Sequence, residues 1–209
     1  MRWIIRTVAV LSVMSWIVVA GLFARPVVSS EAPVREVREV PAATLGLPID
    51  WSRRVLSGSS GVFPGASLEQ AASVIPIVDR HARRFHLDPL LVLAVIQVES
   101  RFESTAVSSQ AAFGLMQLQV PTARDLAMEL GLEWTGDDLL FDPDFNVLLG
   151  CAYLRRLMDR FGDQDAALAA YSSGPTLVES RRDANDRIPL AYSDRVWDVL
   201  TALRGKVSA

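Results

Sequence analysis

Seven consecutive apolar residues, Leu90-Leu91-Val92-Leu93-Ala94-Val95-Ile96, stand directly behind an Asp88-Pro89 pair. Aspartate before a first-turn proline is a helix-start signal. The carboxylate accepts from a free amide of the first turn, and proline lacks the amide that would otherwise be orphaned. A helix that is apolar all round has no face to offer to water, so it must lie at the centre of whatever the chain builds around it. A strand is the competing reading of such a run, but the cap and the length of the segment favour a helix.

The surrounding segments read as further helices. Pro76 begins one that carries Ile77, Val78 and Phe85 among charged residues through His86. Residues 121–130 form another, stopped by Gly131. Asp142-Pro143 repeats the cap-plus-proline signal, and that helix runs to Phe161 before Gly162. Residues 165–171 are short and Ala-rich, and residues 190–203 close the domain. No alternating strand pattern exceeds a few residues, and there is no internal repeat. The expectation is an all-α domain over residues 67–209, enough chain for one core.

The N-terminus has a different character. Arg2 and Arg6 precede residues 7–24, an 18-residue run without a charge, closed by Arg25-Pro26. A membrane-spanning helix needs about 20 apolar residues, so residues 1–25 suit either an uncleaved anchor or a signal peptide cut after Val18-Val19-Ala20. Basic residues at the start favour a cytoplasmic N-terminus and an exported body. No cysteine stands directly behind the run, which excludes a lipid-modified N-terminal cysteine. Residues 26–66, interrupted by Pro26, Pro33, Pro41, Pro48 and Pro64 and including Ser57-Gly58-Ser59-Ser60-Gly61, read as a flexible tether. The alternative for residues 45–55 is a partner-binding segment anchored by Trp51.

Composition removes several functions. The formal net charge is −3, and no basic stripe offsets phosphates, so nucleic acid is not an expected partner. The single cysteine, Cys151, lies in an apolar helical stretch and reads as a buried structural thiol. With only His81 and His86 beside it, neither a nucleophile–base pair nor a zinc ligand pattern emerges. No metal or cofactor is expected.

Glu99 is where chemistry can enter. At 100° per residue it shares a face of the central helix with Val92, Val95 and Ile96. A carboxyl there is desolvated, which raises its pKa and can keep it protonated near neutral pH, as a departing glycosidic oxygen requires. By position alone, a helix-end glutamate turned to solvent is the plainer reading. Its neighbourhood argues otherwise. Ser100 and a polar, turn-rich stretch, residues 103–110, lead to Gly114-Leu115-Met116-Gln117, where glycine permits close backbone approach and the Gln117 amide offers a donor and an acceptor. Tyr171, before Ser172-Ser173-Gly174-Pro175, supplies a ring to stack on sugar and a phenol to hold a carboxyl.

These motifs, in this order, resemble the soluble lytic transglycosylases with a goose-type lysozyme-like catalytic domain. The resemblance covers residues 76–203. It rests on Glu99-Ser100, Gly114-Leu115-Met116-Gln117, Asn146-Val147-Leu148-Leu149-Gly150 leading to Tyr153-Leu154, and Ala170-Tyr171. It implies a lysozyme-like α fold and cleavage of the β-1,4 bond between N-acetylmuramic acid and N-acetylglucosamine in peptidoglycan glycan strands, with a 1,6-anhydromuramic acid product. Glu99 would act as acid and then as base, which removes the need for the second carboxylate of ordinary glycosidases. Glu103, four residues on, is assigned to the surface loop. The resemblance implies Ser108, Met116, Gln117, Tyr171 and Tyr192 as substrate-binding residues, with Tyr171 beside Glu99 to orient it.

The sequence departs from the family pattern in several places. Ser172 stands where the family usually has Asn, Ala111 where it commonly has Gly, and Gln119 where a second methionine often follows. Pro189-Leu190-Ala191-Tyr192 lacks the usual Glu-Thr pair, although Tyr192 still matches the family tyrosine. A hydrolase on the same scaffold and a noncatalytic glycan-binding component are the competing readings. The expected place is the periplasm, held to the inner membrane by the N-terminal helix or released after signal cleavage. Such a tethered enzyme suits local wall opening for a secretion, conjugation or pilus machine, though no residue names that machine.

Overall fold

The computed structural model describes residues 50–57 and 63–208. Eight α-helices make up most of this part: α1 (Trp51–Ser57), α2 (Leu68–Arg84), α3 (Pro89–Glu99), α4 (Val120–Glu129), α5 (Pro143–Phe161), α6 (Gln164–Ser173), α7 (Pro175–Asp183) and α8 (Ala191–Ser208). A 3₁₀ turn spans Asp137–Phe141. The all-α expectation needs one amendment: strands β1 (Ala112–Phe113) and β2 (Leu118–Gln119) form a small antiparallel ribbon in the loop between α3 and α4.

The apolar run lies where its composition requires. Asp88 accepts a hydrogen bond from the Leu90 amide at 2.9 Å, and residues 90–96 are all buried. Helix α3 packs against α2 and α8, while α5 packs against α2, α4 and α6. Asp142 caps α5 through the Phe145 amide, and Gly162 ends it with φ +66°, as the sequence signals indicate. A smaller apolar cluster joins Leu157 and Phe161 to Ala166, Ala167, Ala170 and Val178 at the α5–α6–α7 end.

Three expectations are corrected. Pro76 does not begin a helix; it lies inside α2, which starts eight residues earlier. Ser67 and Gln70 form a reciprocal capping box there, and this nucleation outweighs the one hydrogen bond that Pro76 cannot donate. Helix α7 is absent from the reading by periodicity because Val178 is its only buried residue. Its sequence signal was the Gly174-Pro175 pair, a helix stop joined to a helix start.

The third correction concerns the tether. Trp51 and Val55 of α1 are buried in the main core, as is Phe63, whose ring meets Phe102 edge-on at 4.7 Å. Arg54 donates to the Val207 carbonyl of α8 at 3.3 Å. The folded domain therefore recruits residues 51–57 and 63–66 from the expected linker, because an indole left in water forgoes a large apolar burial. Among the described residues no helix is long and apolar enough to cross a membrane. The expected anchor, residues 1–25, and the tether through residue 49 lie outside the described residues.

Candidate active site

Helix α3 ends at Glu99 because Ser100 leaves helical geometry, its hydroxyl turning back to the Ile96 carbonyl at 3.2 Å. The chain then enters a loop with four non-glycine residues at positive φ: Arg101, Phe102, Ala111 and Gln117. That loop folds over the end of α3 and makes one wall of a cleft of about 550 Å³. The opposite wall comes from α5, the end of α6 and the start of α8, through Tyr153, Tyr171, Ser172, Tyr192 and Arg195.

Asn146, fully buried on α5, holds the loop in place. Its amide nitrogen donates to the carbonyls of Phe113 and Leu140, both at 2.9 Å, and its carbonyl oxygen accepts from the Met116 amide at 2.8 Å. Gly114 fits beneath it with φ +76°; a Cβ there would lie 2.2 Å from the Leu140 carbonyl oxygen. Gly150 is likewise enforced, since a Cβ would lie 2.2 Å from the Met116 sulfur. Two of the ordered motifs are thus the two halves of one joint: the Gly114–Gln117 turn sits on the Asn146–Gly150 face of α5.

Glu99 is mostly enclosed, and its carboxyl accepts a hydrogen bond from the Tyr192 hydroxyl at 2.6 Å. Burial raises its pKa from the ordinary 4.5 to about 7; the Tyr192 hydrogen bond and the Arg195 charge pull the other way without cancelling it. The Tyr171 ring stacks on Tyr192 at 6.4 Å between centroids, with 14° between planes, and Tyr153 meets Tyr171 at 5.3 Å. Burial and the nearby Glu99 keep both Tyr171 and Tyr192 well above the ordinary phenol range, so both act as neutral donors.

The expected site residues divide clearly. Glu99, Ser108, Gln117, Tyr171 and Tyr192 all line the cleft. Ser108 accepts from the amides of Gln110 at 3.2 Å and Ala112 at 3.1 Å, which aims its hydroxyl. Gln117 spends its amide nitrogen on the carbonyls of Ala106 and Gly114, so its expected double role reduces to that of an acceptor. Met116 is not on the cleft wall. Its side chain is fully buried against Gly150, and its contribution is a carbonyl that accepts from Tyr171 at 2.8 Å.

The tyrosine roles are also exchanged. Tyr171 was expected to orient Glu99, but its hydroxyl is committed to Met116, and Tyr192 makes the contact to the acid. Arg195 and Tyr153 also line the cleft, beyond the residues expected from sequence. Arg195 was findable as the residue one helical turn beyond Tyr192. Glu103 is exposed, bonded to the Thr105 hydroxyl at 2.6 Å, and lies outside the cleft, as expected of a loop carboxylate. Cys151 is fully buried, and desolvation pushes its thiol well above the ordinary range, which suits a structural residue.

Similarity to known proteins covers most of these residues, from Glu99 to Tyr171. The transglycosylase SLT domain family matches residues 76–188, more than half of the chain. Membrane-bound lytic murein transglycosylase C of Actinobacillus pleuropneumoniae serotype 5b is 33% identical over 147 residues, covering 63% of this chain and 40% of that protein. The transglycosylase of Enterobacteria phage PRD1 is 40% identical over 91 residues, covering 44% of this chain and 31% of the phage protein. Among solved structures, the 70 kDa soluble lytic transglycosylase of Escherichia coli superposes with a TM-score of 0.51 at 20% identity, over 75% of this chain and 28% of that one. That last likeness speaks to the fold. The chain spans less than half the length of these curated relatives.

Proposed function

Because this chain belongs to the transglycosylase SLT domain family, we propose that it is a peptidoglycan lytic transglycosylase with Glu99 as its single acid–base residue. One observation carries the reading: Glu99, with a pKa of about 7, is the only carboxylate among the described residues that line the cleft. A retaining or inverting hydrolase of the usual kind needs a second carboxylate within about 5–10 Å to act as nucleophile or to activate water. The cleft offers none.

The chemistry follows from one proton moving twice. Tyr192 occupies Oε1 of Glu99, so the acid proton sits on Oε2. Glu99 delivers that proton to the glycosidic oxygen as the bond between it and the muramic acid C1 breaks. The substrate's own N-acetyl oxygen stabilises the cationic C1. The muramic acid C6 hydroxyl then attacks C1, and Glu99, now a carboxylate, takes the hydroxyl proton. The ring closes to the 1,6-anhydro product and Glu99 is again protonated. A pKa near neutrality serves both halves of this cycle, since neither protonation state is far from the other in free energy. Tyr192 supports the base half, because its hydrogen bond favours the carboxylate. Ser108 and the Gln117 carbonyl contribute polar contacts to the sugar, and the tyrosine rings give it a face to rest on.

We assign this activity to the periplasmic side, held to the inner membrane or released after signal cleavage; the uncharged run of residues 7–24 behind Arg2 and Arg6 supports that reading. The printed name of the Actinobacillus relative, a membrane-bound murein enzyme, supports that assignment. The test is mass spectrometry of the products from isolated sacculi. Anhydro-ended muropeptides, lost in Glu99→Gln, are the expected result. Reducing ends would show that water is the acceptor and that the protein is a muramidase. No release of product by the unaltered chain would leave a glycan-binding role.

A further inference from the structure

Among the described residues, the cleft wall carries two charged side chains, Glu99 and Arg195. Arg195 follows Tyr192 by three positions, so both leave the same face of α8. Its guanidinium carbon lies 5.7 Å from the centre of the Tyr192 ring, which uses the cation and none of its N–H groups. Elsewhere in the domain Arg160, Arg181 and Arg204 are each paired with an acid. Arg195 has no carboxylate partner and no hydrogen bond among the described residues. Its charge nonetheless reaches Glu99 and favours the carboxylate there.

An unpaired guanidinium next to a carboxyl that is half protonated at neutral pH leaves the cleft with a positive potential. A neutral sugar gains little from that potential. A carboxylate gains two parallel charge-assisted hydrogen bonds. Resting on the lytic transglycosylase reading, we propose that Arg195 is a specificity-determining residue that binds a carboxylate borne by the muramic acid substituent of the glycan. Two sources present that group: the stem peptide, and the free lactyl acid of a strand whose stem has been removed.

The experiment uses the full chain carrying Glu99→Gln, so that binding is read without turnover, and the same chain with Arg195→Gln added. Four glycans are titrated calorimetrically: strands with stem peptides and strands stripped by an amidase, each with its carboxylates free or converted to amides. The expected result is that amidation weakens binding about tenfold in the Arg195 protein and not at all in Arg195→Gln. The strand type that shows this loss identifies the source, and Arg195→Lys should recover part of it. Equal affinity for free and amidated strands in the Arg195 protein overturns the proposal. So does an equal loss on amidation in both proteins. Cleavage by the chain with Glu99 intact is scored separately. Carboxylate-dependent binding without cleavage keeps the Arg195 role and removes the enzymatic reading.

Discussion

The Tyr192 hydroxyl donates to Oε1 of Glu99 at 2.6 Å, joining α8 to the end of α3 across 93 positions of sequence. This contact and the burial of the carboxyl act in opposite senses. Burial disfavours the charge and the phenol favours it, and the balance leaves Glu99 near pH 7. Tyr192→Phe removes the hydrogen bond and keeps the ring. Glu99 should then titrate above pH 7, and the basic limb of the pH–rate profile should move upward while the maximal rate falls. Tyr171→Phe should leave the position of that limb nearly unchanged, because its hydroxyl serves the Met116 carbonyl. Its cost should be about 1–2 kcal/mol of stability for an unsatisfied buried acceptor. Parallel pH–rate profiles and denaturant titrations of the two variants check the division of labour.

Catalysis should depend on Glu99 in its protonated form. The rate of the first step should fall as pH rises through about 7, and Glu99→Gln should lose on the order of 10²–10⁴-fold or more. Turnover of sacculi monitored by release of soluble muropeptides measures both. An unaltered rate in Glu99→Gln would remove the residue from the mechanism.

The same carboxyl should make the fold less stable as pH rises. The unfolded chain releases the Glu99 proton near the ordinary 4.5, whereas the native state holds it to about 7. Between those values the native state binds more protons, so this group's contribution falls with rising pH and levels off above 7. The two and a half pH units correspond to at most about 3 kcal/mol, less to the extent that the carboxyl reaches water at the cleft. Glu99→Gln should therefore be more stable than the parent at pH 8 and nearly equal to it at pH 4. Urea titrations at the two pH values decide this.

Backbone strain at the loop gives a separate check. Ala111 adopts φ +53°, a left-handed conformation that costs an L-residue roughly 1–2 kcal/mol. Ala111→Gly should stabilise by about 0.5–1 kcal/mol after glycine's greater unfolded-state entropy is counted. Gly114→Ala, at φ +76° against the Leu140 carbonyl, should destabilise by more than about 3 kcal/mol and deform the cleft. The pair brackets the loop from both signs in one thermal-unfolding series.

Trp51 tests how far the domain extends. With 2% of its surface exposed, Trp51→Ala should cost about 3–5 kcal/mol. A chain starting at residue 67 should lose at least as much. Equal stability with and without residues 50–66 would return that segment to the tether.

Much of this molecule is local information. The buried α3 follows from seven apolar residues behind Asp88-Pro89, and the ends of α5 from Asp142-Pro143 and Gly162, because caps and all-round apolarity act within one helical turn. Glu99 was legible for the same reason: its face of α3 is set by 3.6-residue periodicity. What periodicity cannot reach is which distant group meets which. Nothing local makes Tyr192 rather than Tyr171 the partner of Glu99; the choice falls to the packing of α8 on α3 and of α6 on the Met116 turn. Met116 reads as a loop residue in sequence, yet the fold sends its side chain inward because Gly150 leaves room for the sulfur. Trp51, in a stretch that composition marks as linker, becomes core because a surface to bury it exists only once α8 is in place. The sequence alone determined the buried α3, the two ends of α5 and the helix face that carries Glu99. Tertiary structure decided the partners of that acid, the reach of the domain and the charge of the cleft, because contacts between side chains far apart in the chain exist only after the helices have packed.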